Sequence, residues 1–361
     1  MRVLAVSNAA WPVVGGIEVL LTQLNPALQA RGHEITLLTS QLAPDQPELS
    51  EHDGITVHRT QLVVALARRD AGLLSRERQR VARLIRELQP DLIHAHDPGP
   101  NLWAVMKAGS GVPLLTTLHI GLQSAGAGGV VSMADLLAAS SWLTGVSENA
   151  VAEALAMAPA LAGRTSVIEN GVPVPDVTAD VMPGRVLLLG RLVPQKGFDL
   201  ALRAVAQVPD AHVVVAGDGN ERAALEALAE ELGIGDRVDF RGTVVHNDVA
   251  RLIAESQVVL LPSRWEGQPL VALEVGATGR PMLATTVDGL GSAVVHGRTG
   301  VLVPPEDVPA IVRALTELLA RPDWCDELGA AAREHVTSTH GFATCVGAYD
   351  ALYRQLVAQG H

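Results

Sequence analysis

Short apolar runs alternate along the whole chain with longer amphipathic segments. The short runs predict buried β-strands and the longer segments predict helices. This alternation is typical of α/β domains whose parallel sheets are covered by helices on both faces. In the first half, strands are predicted at Arg2–Val6, Glu34–Thr39, Thr56–Thr60, Leu92–His94, Leu114–Leu118, Leu143–Val146 and Thr165–Ile168. In the second half, they are predicted at Val186–Leu189, His212–Ala216, Val238–Phe240, Val258–Leu261, Met282–Thr285 and Val301–Val303.

The proline-containing segment Val172–Asp176 divides this pattern. Each proline biases the preceding residue away from helix, so the segment is predicted to be extended. A chain of 361 residues is long enough for two domains that each bury a core. We therefore expect doubly wound domains over residues 1–172 and 173–340, and a last helix near Phe342–Val357.

The segment Leu261–Glu274 holds the strongest candidate chemistry. A buried strand is followed by a Pro-Ser-Arg turn and by Gly267, which leads into an amphipathic helix. Free N–H groups at a helix N-terminus stabilise an anion, and Glu266 and Glu274 flank that helix start. Carboxylates that accept sugar hydroxyls beside a phosphate-binding helix end suit a nucleotide-sugar site. The alternative is an ordinary strand–loop–helix of an α/β domain.

A second segment, at residues 186–197, places two cations at the end of a buried strand. Arg191 follows Gly190, and Lys196 precedes the glycine that opens a helix predicted at Phe198–Gln207. Arginine binds oxyanions as a fork and lysine binds them as a compact charge, so the pair suits a diphosphate. The chain has two lysines among its 27 basic residues. A single cation at a strand end is usually solvated surface; the two segments together favour a ligand site.

These segments resemble the retaining GT-B glycosyltransferases of family 4. The resemblance rests on short motifs between residue 15 and about residue 300: Gly15–Glu18, Arg31–Glu34, Thr117–His119, Ser147, Asn170–Val172, Gly190–Gly197, Gly217–Gly219 and Pro262–Glu274. It implies two Rossmann-like doubly wound domains that face a central cleft. The acceptor would bind on the N-terminal side and the donor on the C-terminal side. Residues 341–361 would return as a helix to the N-terminal domain.

The resemblance also implies roles for particular residues. Arg191 and Lys196 would neutralise the donor diphosphate, Glu274 would bind the ribose, and Glu266 would hold hydroxyls of the transferred sugar. His119 would lie beside that sugar. The remaining donor-binding positions would be Gly16, Gly190, Gly217, Gly267, Gln268, Pro269 and Leu270. The family often has an aromatic residue where this chain has Gln268, which indicates a more polar sugar pocket. Ile120 stands where an acidic residue often follows the histidine.

The expected reaction transfers a hexosyl-type sugar from a nucleoside-diphosphate sugar to a hydroxyl with retention. The acceptor would be a small molecule, a saccharide or a lipid-linked group. The chain contains no Asp-x-Asp motif, so we expect protein cations, and no metal or other cofactor, to stabilise the leaving group. The motifs do not identify the nucleotide, sugar, acceptor or linkage.

Composition excludes several other classes. The net charge of −12 argues against a nucleic-acid binder, and no apolar run is long enough to span a bilayer. The N-terminal run is too short for a signal peptide core, and the two cysteines lack metal-like spacing, so we expect a cytoplasmic protein. A basic helix face carries Arg76, Arg80, Arg83 and Arg86. It is either a solvated face or a weak contact with anionic lipid at the inner membrane.

Three alternatives remain. A nicotinamide enzyme would need G-x-G-x-x-G after its first strand, and Gly217–Gly219 lacks the third glycine and lies in the second domain. A GT-B disaccharide phosphorylase or sugar-nucleotide epimerase would share the fold. A non-enzymatic sugar-binding protein would be expected to carry an export signal. The flexible run Gly126–Gly129 is predicted to lie near the acceptor.

Overall fold

The structure is a computed structural model that describes residues 1–13, 15–119 and 132–359. Ile120 and the run Gly126–Gly129 lie outside the described residues. The chain forms two compact units. The first contains Met1–Glu169 and Cys345–His361, and the second contains Asn170–Thr344. The chain thus passes between units three residues before the expected end of the first domain.

Within the described residues, the first unit holds an eight-stranded sheet in the order β3-β4-β2-β1-β5-β6-β7-β8. The strands are β1 (Arg2–Ser7), β2 (Glu34–Ser40), β3 (Leu49–His52), β4 (Ile55–Thr60), β5 (Leu92–His96), β6 (Leu114–Leu118), β7 (Trp142–Gly145) and β8 (Thr165–Val167). The helices are α1 (Gly16–Gln29), α2 (Leu62–Ala67), α3 (Ala71–Leu88), α4 (Pro100–Ala108), α5 (Met133–Ala138) and α6 (Glu148–Met157). The central strands are buried throughout, as their apolar runs predict.

Strand β3 is the element that the apolar pattern did not predict. It reads Leu-Ser-Glu-His and pairs antiparallel with β4 at the sheet edge, whereas every other described pair in this sheet is parallel. The two strands are joined by Asp53 and Gly54, both with positive φ. An Asp-Gly turn with both residues in this region is a common two-residue hairpin turn. The Asp-Gly turn was therefore the sequence signal for this hairpin, since an edge strand with exposed residues carries no apolar run.

The second unit holds a six-stranded sheet in the order β11-β10-β9-β12-β13-β14, and its pairs are all parallel in the described chain. The strands are β9 (Met182–Leu189), β10 (His212–Ala216), β11 (Val238–Gly242), β12 (Ser256–Leu261), β13 (Met282–Thr285) and β14 (Gly300–Val303). The helices are α7 (Phe198–Val205), α8 (Arg222–Glu231), α9 (His246–Glu255), α10 (Leu270–Thr278), α11 (Val308–Ala320) and α12 (Pro322–Thr339). Helix α7 ends two residues earlier than predicted.

One apolar core of the second unit forms where the inward side chains of β9, β10 and β12 meet α7, α8 and α11. Val186, Leu188, Val213 and Leu260 are almost completely buried there. Burying one such side chain stabilises the fold by about 1.5–3 kcal/mol. These central strands therefore make a rigid base for the loops at their carboxyl ends.

Helix α13 (Phe342–Gln359) starts in the second unit and belongs to the first from Cys345 onward. Its Tyr353 hydroxyl lies 2.6 Å from His94 Nδ1, and its Asp350 Oδ1 lies 2.9 Å from His33 Nε2. The final helix therefore contributes buried hydrogen bonds to the N-terminal sheet, as the GT-B resemblance implied. No helix in the described ranges is long and apolar enough to cross a membrane.

Candidate functional site

The site in the second unit lies where the strand order of the sheet reverses. Strand β9 pairs with β10 on one side and with β12 on the other, although β12 is far along the chain. In open parallel sheets, ligands bind beyond the carboxyl ends of the strands at this reversal. Two loops leave those ends: the first loop at residues 190–197, after β9, and the second loop at residues 262–269, after β12. Both predicted donor segments therefore converge on one place.

Lys196 and Glu266 join these two loops directly. Lys196 Nζ lies 2.6 Å from Glu266 Oε1, and both side chains are mostly buried. The Ser263 hydroxyl donates to the same Oε1 at 2.6 Å. Because both donors use one oxygen, the carboxylate is oriented by the protein. Sequence reasoning missed Ser263, although the spacing Pro-Ser-x-x-Glu places its hydroxyl one turn before the glutamate.

Arg191 differs from Lys196 in its surroundings. The arginine is exposed just beyond the end of β9, and its guanidinium makes no hydrogen bond or ion pair with any described residue. Its guanidinium therefore remains available to bind an anion in solution, whereas Lys196 is already neutralised. The two cations predicted for the diphosphate are thus in different electrostatic states.

Glycines let the loops of this unit approach closely. A Cβ at Gly197, which has φ of 64°, would lie 2.1 Å from the Pro262 carbonyl oxygen. A Cβ at Gly217, with φ of 142°, would lie 1.8 Å from the Gly190 carbonyl oxygen. Any side chain at either position would force the backbones apart. Gly217 and Gly190 therefore shape the site by close packing of neighbouring loops.

Helix α10 begins at Leu270 with Pro269 as its N-cap, directly after Gly267 and Gln268. Proline lacks an N–H, so only the flanking amides are free to face an anion at this helix start. Gly267 is half-buried and its carbonyl packs against Gly289, where a Cβ would collide with it. Backbone N–H groups are thus present at Gly267, Gln268 and Leu270 and missing at Pro269, and their contact with a phosphate remains a prediction.

The Gln268 side chain has hydrogen-bond partners within the protein. It is buried, its Oε1 accepts from the Asn170 N–H at 2.7 Å, and its Nε2 donates to Ser292 Oγ at 3.2 Å. The Gln268 carbonyl also accepts from Asn170 Nδ2 at 3.3 Å. The Gln268 side chain therefore joins three loops, and its role at the donor remains a prediction.

Glu274 lies one turn inside α10, and it is half-buried. Burial raises the pKa of its carboxyl to about 7. Removing a carboxylate from water disfavours its charged form unless hydrogen-bond donors replace the water. A partner with hydroxyl donors would supply such bonds, which is the chemistry expected of a ribose.

In the first unit, Gly16 starts α1 and follows the loop after β1. A Cβ at Gly16 would meet no atom within 4 Å, whereas a Cβ at Gly15 would lie 2.3 Å from a Glu18 carboxylate oxygen. Among the described residues, none fills the space at Gly16. The position therefore suits a ligand that approaches the helix start, and Gly15 is needed for the fold of the turn itself.

His119 follows β6 and is buried. Its Nε2 lies 3.0 Å from His96 Nδ1, and the two rings stack with centroids 5.3 Å apart. Burial lowers the pKa of His119 to about 4 and holds the pKa of His96 well below its usual value. Both rings are therefore neutral near pH 7. His96 Nε2 is buried without a hydrogen-bond partner among the described residues.

Asp97 was not selected from the sequence, yet it contacts the same histidine. Its Oδ1 accepts from the His119 N–H at 2.8 Å, and its backbone has φ of 60°. Burial raises the pKa of Asp97 to about 7; the nearby Glu18 adds to this rise and the His119 N–H opposes it. A non-glycine residue in left-handed backbone directly after a buried strand marks a constrained site. The signal available was the run His-Ala-His-Asp at the end of β5.

The basic face of α3 is only partly free. Arg76, Arg83 and Arg86 are exposed and form no ion pair with the described residues. Arg80 is half-buried; it lies 2.8 Å from Glu48 and 3.4 Å from Glu77, and it donates to the Arg59 carbonyl. Arg80 therefore differs from the other three arginines of this face, because intramolecular acceptors use its guanidinium.

Two family models match this chain, one in each half. Residues 14–174 match the model described as Glycosyltransferase Family 4, and residues 176–335 match the model described as Glycosyl transferases group 1. Together they cover every site residue discussed above and, apart from β1, the strands of both sheets. The second match includes Arg191, Lys196, Glu266 and Glu274.

Relatives and solved structures agree with these matches. A glycogen synthase of Mycobacterium tuberculosis is 28% identical over 98% of this chain and 94% of its own length. The structure of a sucrose-phosphate synthase from Thermosynechococcus elongatus has a TM-score of 0.86 at 26% identity and covers 99% of both chains. Anabaena HepE in complex with UDP-glucose has a TM-score of 0.80 at 19% identity, and covers 98% of this chain and 100% of its own.

Proposed function

The chain belongs to the group 1 glycosyltransferases of the GT-B fold, and from this premise we propose that it is a retaining, metal-independent hexosyltransferase. The donor is a nucleoside-diphosphate sugar, and the acceptor is a hydroxyl of a small molecule, a saccharide or a lipid-linked group. The observation that carries the proposal is the contact between Lys196 and Glu266, with the free cation of Arg191 in the first loop.

Stabilising the leaving group is the first task of this site. Cleavage of the anomeric C–O bond leaves negative charge on the nucleoside diphosphate. Arg191 and Lys196 are the cations of the first loop, and the amides at the start of α10 add partial positive charge. Protein groups aimed at the diphosphate act on the developing charge without a divalent ion. This arrangement supports metal independence.

The two glutamates have separate tasks in the proposal. Glu266 is oriented by Ser263 and Lys196 through Oε1, which leaves Oε2 to accept from hydroxyls of the transferred sugar. Glu274 accepts from the ribose hydroxyls, whose donors compensate for its burial. In the first unit, the donor positions proposed from the family resemblance are Gly16, where a Cβ would meet no described atom, and His119, whose ring is neutral near pH 7.

Retention follows if the acceptor attacks the face of the sugar that the diphosphate is leaving. The acceptor proton then passes to a departing phosphate oxygen, so no covalent protein nucleophile is needed. Uridine is the first nucleotide to test, because HepE, which shares the fold, binds UDP-glucose.

The test is release of nucleoside diphosphate from a panel of nucleotide sugars with candidate acceptors. Proton NMR of the glycoside then gives its anomeric configuration, and a product of inverted configuration would contradict retention. Release that depends on inorganic phosphate would instead indicate a phosphorylase. If no nucleotide sugar in the panel reacts or binds, the proposal fails.

We also propose that the protein is cytoplasmic, with a weak contact to anionic lipid through the face that carries Arg76, Arg80, Arg83 and Arg86. Arg76, Arg83 and Arg86 are its exposed members. Cys325 and Cys345 are buried and form no disulfide with each other, as expected in a reduced compartment. Each basic residue near an anionic surface contributes about 1 kcal/mol. Sedimentation with phosphatidylglycerol vesicles should exceed that with phosphatidylcholine vesicles, and the triple substitution to glutamine should abolish the difference. Equal sedimentation with both lipids would contradict this contact.

A further inference from the structure

Arg264 lies in the second loop, two residues before Glu266, and its guanidinium reaches the first loop and α7. Nη1 donates to the Pro194 carbonyl at 2.6 Å, and Nη1 and Nη2 lie 2.9 Å from the two carboxylate oxygens of Asp199. Nε donates to Glu306 at 2.6 Å. Arginine presents its donors in a fixed planar fork, so these contacts set orientation as well as distance.

The backbone around Arg264 makes the same connection. The Arg264 N–H donates to the Gln195 carbonyl at 2.8 Å, and Gln195 Nε2 donates to the Trp265 carbonyl at 2.9 Å. On the other side of Lys196, Gly197 packs directly on the Pro262 carbonyl. Lys196 is therefore held between two points at which the first loop is joined to the second.

Electrostatic attraction also stabilises the bidentate pair of Arg264 and Asp199. Burial alone would raise the pKa of Asp199, but the hydrogen bonds and the charge of Arg264 outweigh it and hold that pKa below its usual value. Glu306 accepts the third nitrogen from a backbone with φ of 59°, a left-handed conformation that a glutamate rarely adopts. Two carboxylates from separate elements thus fix a single guanidinium.

We propose that Arg264 is a positioning residue, which aligns the first loop with the second so that Lys196 and Glu266 meet at the donor. The inference rests on the proposed function, because alignment matters for catalysis only if these two residues act on a donor. The inference gives Arg264 no contact with substrate, since four of its five side-chain N–H donors bond to the protein.

The decisive variant is Arg264→Met, which keeps the length of the side chain and removes the fork. The matched control is Arg185→Met, which breaks another partly buried pair, with Glu255 at 2.8 Å, at the amino end of β9. A misplacement of about 1 Å in a catalytic group can lower the rate by on the order of 10²-fold. We therefore expect kcat for UDP-glucose to fall about 10- to 100-fold in Arg264→Met with KM changed less than threefold, and to stay within twofold of wild type in Arg185→Met.

The small number of lysines allows a direct measurement of alignment. Reductive methylation with ¹³C-formaldehyde labels Lys107, Lys196 and the N-terminal amine and retains their charge. Lys196→Arg and Lys107→Arg assign the signals. In Arg264→Met the Lys196 resonance should shift or broaden, while the Lys107 resonance in the first unit should not move.

Asp199→Asn removes the negative charge that faces Arg264 and keeps the shape of the Asp199 side chain. It therefore tests the inference if Arg264→Met does not fold. It should lower kcat and shift the Lys196 resonance in the same direction, and Arg264→Lys should recover part of the activity. An unchanged Lys196 resonance, together with kcat equal to that of Arg185→Met, would overturn the inference. If wild type neither binds nor turns over any nucleotide sugar, the proposed function fails instead. The Lys196 resonance would still report whether Arg264 positions the first loop.

Discussion

Lys196 Nζ donates to Glu266 Oε1 at 2.6 Å, so the cation proposed for the diphosphate is paired with the carboxylate proposed for the sugar. Both side chains are mostly removed from water, which strengthens their attraction. A diphosphate that binds Lys196 must share or replace this carboxylate. Donor binding would then leave Glu266 more available to sugar hydroxyls. The contact therefore couples two roles that were considered separately in the sequence.

This coupling predicts opposite effects of substitutions at the two positions. Glu266→Gln removes the competing charge and keeps the shape, so UDP should bind roughly threefold to tenfold more tightly, where tenfold corresponds to about 1.4 kcal/mol. Turnover should fall by on the order of 10²-fold, because an oriented acceptor for the sugar is lost. Isothermal titration with UDP and steady-state kinetics measure the two effects. Lys196→Met is the companion variant, and equal weakening of UDP binding in both would contradict the coupling.

Arg191→Ala tests the free cation. Its guanidinium has no partner in the described protein, so the melting temperature should stay within about 1 °C, since exposed sites usually change stability by less than ~0.5 kcal/mol. Loss of one group that stabilises developing negative charge should lower kcat about 10²–10³-fold. Arg203→Ala on α7, also exposed, serves as the control. Near-native turnover in Arg191→Ala would remove this residue from the site.

The local pattern of apolar and polar residues was sufficient to predict the buried strands, because each is an apolar run bounded by polar or turn residues. The strand His212–Ala216 was predicted residue for residue. Polar β3 was missed, since an edge strand need not be apolar on either face.

The contact between Lys196 and Glu266 lies beyond any local pattern. The two residues are 70 positions apart, and they meet only because β12 inserts beside β9 in the sheet. The sequence pattern placed both residues in loops that follow strands. It did not predict that the two strands are neighbours, because strand order is set by the packing of whole elements. The protein partners of Gln268 were not predicted for a related reason: Asn170 and Ser292 are remote from it in sequence.

Gln268→Ala should therefore affect stability more than donor binding. The substitution would leave the buried Asn170 N–H without its acceptor, which costs about 1–3 kcal/mol. Urea unfolding should report this loss, while UDP affinity should change less than twofold. A large loss of UDP affinity with unchanged unfolding would restore the ligand-binding interpretation. Gln207→Ala, whose side chain donates only within α7 and its end, is a surface control.

Chelation tests the proposed metal independence. If Arg191 and Lys196 stabilise the diphosphate without a divalent ion, transfer activity should remain within about twofold of its initial value in saturating EDTA. The rate is measured before and after chelation with the same enzyme stock. Complete loss that magnesium or manganese restores would show that a metal takes part in the reaction.

Glu274 predicts a pH dependence of donor binding. Burial raises its pKa to about 7, so the carboxylate that accepts from ribose becomes protonated as the pH falls below that value. UDP-glucose is the suitable ligand, because its doubly substituted phosphates do not titrate in this range, whereas the terminal phosphate of UDP has a pKa near ~6. Its Kd should rise by up to about tenfold per pH unit below pH 7, and Glu274→Gln should abolish that slope. His119, with a pKa of about 4, should not contribute between pH 6 and 8.

The same shift predicts how Glu274 affects stability. A carboxyl whose pKa is raised in the folded state favours folding most when it is protonated, and this contribution is lost as the pH rises through about 7. Glu274→Gln cannot ionise, so its melting temperature relative to wild type should increase from pH 5 to pH 8. Asp97 is the other carboxyl with a pKa of about 7, and Asp97→Asn removes its titration. In this variant the Kd for UDP-glucose should keep its wild-type dependence on pH. If Asp97→Asn removes that slope and Glu274→Gln keeps it, the titrating group belongs to the first unit and the ribose role of Glu274 is wrong.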